Sequence, residues 1–595
     1  MPLGLPLLAR LAEAIDRSRR WDRLPRPLAV LVLVGLRARL RERNLYDTGT
    51  VVPKPARPAP DGERRYLTAR TLDGSFNDLD EPRMGSIGAR FGRNIPLEHA
   101  FPEDAPALLD PSPRVVSREL LTRETFIPAT TLNLLAGAWL QFEVHDWFSH
   151  GRNEDENPWQ LDLADDDPWP ERPMRVARTR RDPTSDADPQ TPPTFVTADS
   201  HWWDGSQIYG SDEAFAAKVR ANEDGKLRVG EDGLLPKDLE ENVDLGGVAG
   251  NFWLGLGLLH TLFTLEHNAI CERLRSEHPR WSDDKLYDRA RLVNAAVMAK
   301  IHTVEWTPAI IAHPTTRFAM NANWYGIAGR GVTTRLGRLG SGEVLSGIPG
   351  SPTEHHGVPY SLTEEFVAVY RMHPLLPDEF TFRSAANDAV LEERTFPEIG
   401  ALATRTRLEE IGVANSFYSF GRSHPGAITL HNYPRFLQYF ERPDGTVIDL
   451  AAVDVLRVRE RGVPRYNHFR RLFRLRPARS FRELTDNATW AEELERVYGD
   501  VERVDLMTGL YAEPLPKGFG FSDTAFRVFI LMASRRLKSD RFFTRDYTPK
   551  LYTREGIAWI NESTMKTILL RHYPQLEPAL AGVENAFAPW RRVPS

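Results

Sequence analysis

The chain has 595 residues, 41% of them hydrophobic and 27% charged, the composition of a soluble globular protein with several domains or one large core. A formal net charge of -6 exerts no overall pull on nucleic acid. Its single cysteine, Cys271, excludes an intramolecular disulfide and any cysteine-based zinc or iron–sulfur centre, and fits a reducing compartment.

Residues 1–45 read as a basic, partly apolar N-terminal unit, and residues 46–595 as one large catalytic body. The apolar run Pro27–Leu36 (PLAVLVLVGL) has about half the length needed to span a bilayer. No small-residue cleavage site closes it, so a secretory signal is not expected. Arg17, Arg19, Arg20, Arg23 and Arg26 precede it, and Arg37, Arg39, Arg41 and Arg43 follow. A basic helix with an apolar patch can rest on an anionic membrane; it can equally pack on the body of the protein. Either reading leaves the chain cytoplasmic or peripheral to a membrane.

From Tyr46 to Pro113 the chain is rich in Pro, Gly and Asp and predicts irregular connection. Leu120–His150 turns helical, apolar around most of its circumference, and predicts a buried helix. Residues 151–199 are acidic and studded with proline, which predicts a long surface loop. Helical patterns return at Phe252–Glu277, Asp284–Thr303, Ser361–His373, Phe469–Leu475 and Ser522–Leu537. Strand-like alternation is scarce and no internal repeat is present. The fold class is mainly α with little sheet.

Four groups of residues carry chemistry. In Gln141-Phe-Glu-Val-His-Asp146, Gln141 and His145 are four apart and share a helical face. A buried histidine is costly unless bonded or used, and most such residues are satisfied core groups. The neighbouring HDWFSH lacks the glutamate and spacing of a zinc protease motif. Ser200-His-Trp-Trp-Asp-Gly-Ser206 offers oxygen donors of the kind hard cations take, although Asp-Gly-Ser is also ordinary turn chemistry. In EFVAVYRMHP, Tyr370 lies three residues before His373, about one helical turn away. Finally, His302, Thr307 and Arg536 are donors suited to a carboxylate. The five-residue spacing of His302 and Thr307 places them on adjoining rather than identical faces of a regular helix, and an arginine such as Arg535 or Arg536 more often serves a surface ion pair.

Taken together, and in fixed order over most of the chain, these segments resemble the haem peroxidase–cyclooxygenase superfamily, specifically its fatty-acid α-dioxygenase branch. The resemblance runs from FNDLDEPRMGSIGARFGRNIPL through WLQFEVHDWFSHG, WWDGSQIYG, FTLEHNAICERL, AKIHTVEWTP and HGVPYSLTEEFVAVYRMHPLLP to VLRVRERGVPRYNHFRRLF, LKSDRFFT and LLRHYPQL. It implies a helical catalytic domain that binds haem b and calcium. His373 matches the proximal iron ligand, His145 the distal histidine with Gln141 beside it, and Asp454 the partner of the proximal imidazole. Asp146, Ser200, the Trp202 carbonyl, Asp204 and Ser206 match the calcium site. The plant members commonly carry threonine where Ser200 stands, and serine keeps the oxygen.

Tyr370 matches the tyrosine that becomes a radical, and His302, Thr307 and Arg536 match the grip on the substrate carboxylate. The implied reaction is peroxide-activated addition of dioxygen at C2 of a long-chain fatty acid, giving a 2-hydroperoxy acid. Three rivals remain: a peroxidase of small donors or halides, an oxygenase acting at another carbon, and a haem protein that stores or senses. Tyr370 and the carboxylate grip argue against the first, the position of the grip against the second, and His145, Gln141 and Tyr370 together against the third.

Overall fold

The structure, a computed structural model, describes residues 5–49, 64–185, 188–238, 244–246, 252–442 and 445–594. Two helices open the described chain, α1 (Leu5–Arg19) and α2 (Arg26–Arg43). Proline near the first position starts α2, where its missing N–H costs nothing. The helices approach closely at Gly35, where an added Cβ would lie 2.5 Å from that of Ala12. α2 buries Ala29, Val32, Leu33, Leu36 and Leu40 against the body; Leu28 and Leu31 stay exposed. Most of the apolar run Pro27–Leu36 is therefore core, as in the second reading of that segment. No described helix is long and apolar enough to cross a membrane.

The next long apolar segment forms only α3 (Leu135–Val144). Leu120–His150 as one helix is too long. A wide π-turn occupies Ser117–Leu121, and Pro128, which lacks a backbone donor and disfavours helix before it, lies in the extended stretch between. Within 151–199, the predicted loop contains an antiparallel hairpin, β1 (Glu154–Leu161) and β2 (Met174–Arg178). Leu161, Trp169, Met174 and Val176 pack there against Ala452 and Leu456. The alternation in Met-Arg-Val-Ala-Arg was the available signal, masked by the surrounding prolines and acids. A second hairpin pairs β3 (Glu379–Arg383) with β4 (Val390–Thr395), and a third pairs two dipeptides.

The remaining mass is helical. α4 (Leu254–Glu277) and α5 (Asp283–Ile301) pack along one another, and α3 lies on α4. Ser282 caps α5 through Lys285 N at 3.3 Å, the usual role of serine at that position. Further on come α6 (Glu364–Val369), α7 (Leu450–Glu460) and α8 (Asp523–Ser539). Both α2 and α6 rest on α8. One continuous apolar core runs from Ala12 to Val593.

Two polar ties cross that core. Arg527 on α8 reaches Asp16 at 2.9 Å and Asp523 at 2.8 Å, while Trp21 Nε1 donates to Asp523 Oδ1 at 2.9 Å. On α4, buried His267 faces the Gly225 carbonyl through Nε2 at 2.9 Å and the Tyr209 hydroxyl through Nδ1 at 3.0 Å. The lone cysteine, Cys271, lies one turn further along α4, and burial pushes its thiol far up.

Removing Arg527 (Arg527→Ala) leaves the buried Asp16 and the half-buried Asp523 without their cation, a loss of about 3 kcal/mol. Limited proteolysis should then cut first between α1 and α2, where wild type resists. Burial holds His267 down to about 4, against about 6.5 in an unfolded chain. The unfolded state therefore binds the proton first, and stability drains away as pH falls from about 6.5 towards 4, by at most about 1.4 kcal/mol per pH unit for this residue. Urea midpoints at neutral and mildly acidic pH should differ less in a His267→Gln variant.

Candidate active site

α3 carries the first part of the site. Gln141 accepts from Trp253 Nε1 at 2.6 Å. His145, which caps α3 in helical conformation with its N–H on the Gln141 carbonyl at 3.2 Å, shares that face. Both His145 ring nitrogens are buried without a hydrogen-bond partner, and burial lowers its pKa to about 4. His260 on α4, packed edge-on to Phe142 at 5.0 Å, is likewise buried and unpartnered. It was invisible in the sequence as anything but a helical histidine.

Tyr370 and His373 do not share a helical face. α6 ends at Val369, Tyr370 occupies its C-cap, and His373 opens a separate short turn followed by Pro374. The break turns the two side chains to different neighbours. Tyr370 packs on Phe366 at 4.4 Å and edge-on to Trp147 at 5.3 Å. Its hydroxyl is buried with no partner, and burial raises its pKa well above the normal phenol range. His373 places Nδ1 2.7 Å from Asp454 Oδ2. Asp454, fully buried on α7, also accepts from Tyr433 at 2.8 Å and is paired with Arg371. Burial alone would raise this carboxyl, but His373 and Arg371 outweigh it and hold it at about 2.

His302 and Thr307 come together by a route that regular periodicity does not allow. α5 runs into a π-turn, His302–Trp306, closed by Thr307 N–H on the His302 carbonyl. A five-residue spacing is one turn in that geometry. His302 stacks on Trp306 at 4.6 Å and accepts from Trp139 Nε1 at 3.2 Å, leaving Nε2 free. Thr307 Oγ1 is also buried without a partner. A narrow crevice lined by Trp203, His302, Thr307, Met320 and Leu537 reaches both.

Arg536 on α8 is no surface residue: it is 1% exposed. Its guanidinium lies 4.3 Å from the Trp147 ring and 4.8 Å from the Trp203 ring. Nε and Nη1 have no acceptor, and Nη2 reaches the His201 carbonyl at 3.5 Å, with the Tyr360 hydroxyl close by. Such stacking partly replaces lost hydration but leaves the charge unpaired. Glu143 on α3 accepts from Trp203 Nε1 at 2.7 Å and has its other oxygen unpartnered. Burial pushes it up to about 8, against the pull of Arg536. Its place inside this aromatic group had no signature in the sequence.

The loop at Ser200–Ser206 meets the end of α3. Ser206 donates to Asp146 Oδ1 from N at 2.6 Å and from Oγ at 2.7 Å, and Ser200 Oγ donates to Asp204 Oδ2 at 2.9 Å. Trp202 N–H donates to Ser200 Oγ at 3.1 Å, and its ring stacks on Tyr360. Gly85 (φ +65°) is needed beneath it, because a Cβ there would lie 2.8 Å from the Trp202 ring. Asp146 Oδ2 has no partner, and burial and the Asp204 charge push this carboxyl up. Two buried carboxylates, with a long ion pair from Arg291 to Asp204 at 3.8 Å and Arg536 acting on Asp146 from further off, form a donor set that a hard cation fits.

The animal haem peroxidase family matches residues 69–584. An α-dioxygenase of Pisum sativum is 39% identical over 98% of this chain and 92% of its own length. The crystal structure of the Oryza sativa fatty acid α-dioxygenase superposes with a TM-score of 0.91 at 37% identity, covering 99% of this chain and 97% of that one. That of the Arabidopsis thaliana enzyme gives the same score at 36% identity, over 99% and 93%. The chain thus belongs to the animal haem peroxidase family, in its α-dioxygenase branch.

Proposed function

We propose that the protein is a haem-dependent fatty-acid α-dioxygenase, adding dioxygen at C2 of long-chain fatty acids. The observation that carries this reading is a set of buried, unpartnered polar atoms around Trp147 and Trp203: the Tyr370 hydroxyl, His302 Nε2, Thr307 Oγ1, and Nε and Nη1 of Arg536. Buried polar groups are normally satisfied, so a cluster of donors beside a phenol fits an absent anion. A solved structure of the Oryza sativa relative contains palmitic acid, an anion of that kind.

His373 would hold the haem iron, its ring oriented by Asp454, and His145 with Gln141 would line the haem site. Bound haem would supply the oxidising equivalent, drawn from peroxide, and Tyr370 would give up an electron to it and its phenol proton with that electron. His145, neutral at physiological pH, is suited to accept and return the peroxide proton. Arg536, His302 and Thr307 bind the fatty-acid carboxylate, so that a fixed head group selects C2 among many similar C–H bonds.

The Tyr370 oxygen radical then takes a hydrogen atom from C2, dioxygen adds to the carbon radical, and the peroxyl radical recovers a hydrogen atom from Tyr370. The products are a 2-hydroperoxy acid and a regenerated tyrosyl radical. Loss of carbon dioxide and water from that acid leaves an aldehyde one carbon shorter. Asp146, Ser200, the Trp202 carbonyl, Asp204 and Ser206 would bind calcium, fastening α3 to the loop and neutralising the Asp146–Asp204 pair.

Oxygen uptake by the haem-loaded protein on a long-chain saturated fatty acid tests the reading. Wild type should consume oxygen and Tyr370→Phe should not, with haem absorbance unchanged. No uptake by wild type with haem bound would sink the assignment in favour of a peroxidase. Replacing Arg536 by lysine keeps the charge but loses the fork. It should raise KM about tenfold or more, the equivalent of one charged hydrogen bond, while radical formation by peroxide persists.

A further inference from the structure

The described residues expose an unusual apolar surface beside the outer end of the crevice. Ile327, Leu336, Leu339, Val344 and Leu345 are each between 40% and 72% exposed. They belong to one short segment that is built rather than loose. Ile327 N–H bonds the Val344 carbonyl at 2.9 Å, and Leu339 N–H bonds Ser346 Oγ at 2.9 Å. Arg338 Nη1 reaches the Gly347 carbonyl at 2.9 Å. Gly326 (φ +72°) and Gly347 (φ +83°) close the segment, and a Cβ on either would meet backbone at 2.0 or 2.1 Å.

Scattered single apolar residues on a surface need no explanation, whereas five within one internally bonded segment of about twenty residues point to a contact surface. The surrounding charge selects the partner. Glu343 is the sole acidic residue between 314 and 350, against Arg317, Arg330, Arg335 and Arg338. Arg317, Arg330 and Arg335 are exposed and form no ion pair within the described residues. α2 continues the surface: Leu28 and Leu31 are exposed, and Arg26 lies over Phe318 at 4.8 Å.

The same segment ties to α2 and to the crevice. Glu343 accepts from Arg37 at 3.1 Å and from Arg41 at 2.9 Å. Arg37 also donates to Asn323 at 2.8 Å and Arg41 to Ser534 at 3.4 Å. Asn323 and Ser534 line the crevice that ends at His302 and Thr307.

We infer that residues 326–347, with the outer side of α2, form a docking face for an anionic lipid surface, and that fatty acid passes from it into the crevice beneath α2. The apolar side chains enter the headgroup boundary and the arginines, which have no carboxylate partner among the described residues, meet the lipid charge, a pairing that gives reversible rather than permanent attachment. The route, though not the docking, rests on the fatty-acid reading of the site.

The test is co-sedimentation of the full, haem-loaded chain with phosphatidylcholine vesicles, with and without phosphatidylglycerol, and with a Leu336→Glu/Leu345→Glu variant alongside. Wild type should partition about tenfold more strongly to the anionic vesicles, losing the preference in high salt, and the variant should lose about tenfold. Oxygen uptake on a freely dissolved medium-chain acid should be equal in the two proteins, which also shows that the variant is folded. Uptake on long-chain acid held in anionic vesicles should fall in the variant alone. Equal binding by wild type and variant, or none to anionic vesicles, would overturn the proposal. So would a wild-type dimer that the variant converts to monomer, since a second copy would then cover the face. Vesicle binding is read without turnover, so its failure is distinct from failure of the fatty-acid reading, which uptake of the dissolved acid reports.

Discussion

A guanidinium buried without a carboxylate is the constraint on which this site depends. Burying an isolated cation costs several kcal/mol even after relaxation, so everything around Arg536 has to make that charge bearable without neutralising it. Two indole faces, Trp147 and Trp203, do so, and Glu143, pushed up to about 8 by burial, is largely protonated near neutrality and so does not cancel it. A carboxylate partner supplied by the protein would have stabilised the fold and closed the site. Leaving the charge unpaired keeps binding energy in reserve for an anion from outside.

α3 connects that arrangement to the rest of the molecule. In one stretch it carries Gln141 and His145 on one face, Glu143 turned towards Trp203, and Asp146 at its end against Ser206. The proposed haem, substrate and calcium regions therefore share one rigid element. A disturbance at the Asp146 end is transmitted along a helix buried on nearly every side, where packed interiors yield little. Metal binding at that end would fix the helix axially, and with it the height of His145.

The sequence was legible where chemistry follows regular geometry. Gln141 and His145, four apart on a real helix, met on one face as periodicity required, and the long helices from Leu254 and Asp283 lay within a residue or two of their patterns. It was illegible where the backbone departs from the regular helix. Tyr370 and His373 read as one helical turn, yet a helix end and a proline separate them. His302 and Thr307 read as mismatched, yet a π-turn aligns them. The family resemblance named all four residues; local periodicity alone would have paired the wrong two. The hairpin within 151–199 escaped because its long strand is mostly exposed and acidic, and only tertiary contact with α7 gives it an inner face.

The identity of the buried cation has a chemical consequence. The aldehyde formed when a 2-hydroperoxy acid loses carbon dioxide condenses readily with a primary amine to an imine, and a lysine at position 536 would sit beside each newly made product. A guanidinium offers no such nucleophile. Lys300, two residues before His302, has its ammonium bound by the carbonyls of Ile560 and Ser563, both at 2.5 Å, and is engaged with the C-terminal segment. If Arg536 holds the substrate carboxylate as proposed, its guanidinium also removes a route to covalent capture of that aldehyde, and so bears on turnover number as well as on recognition.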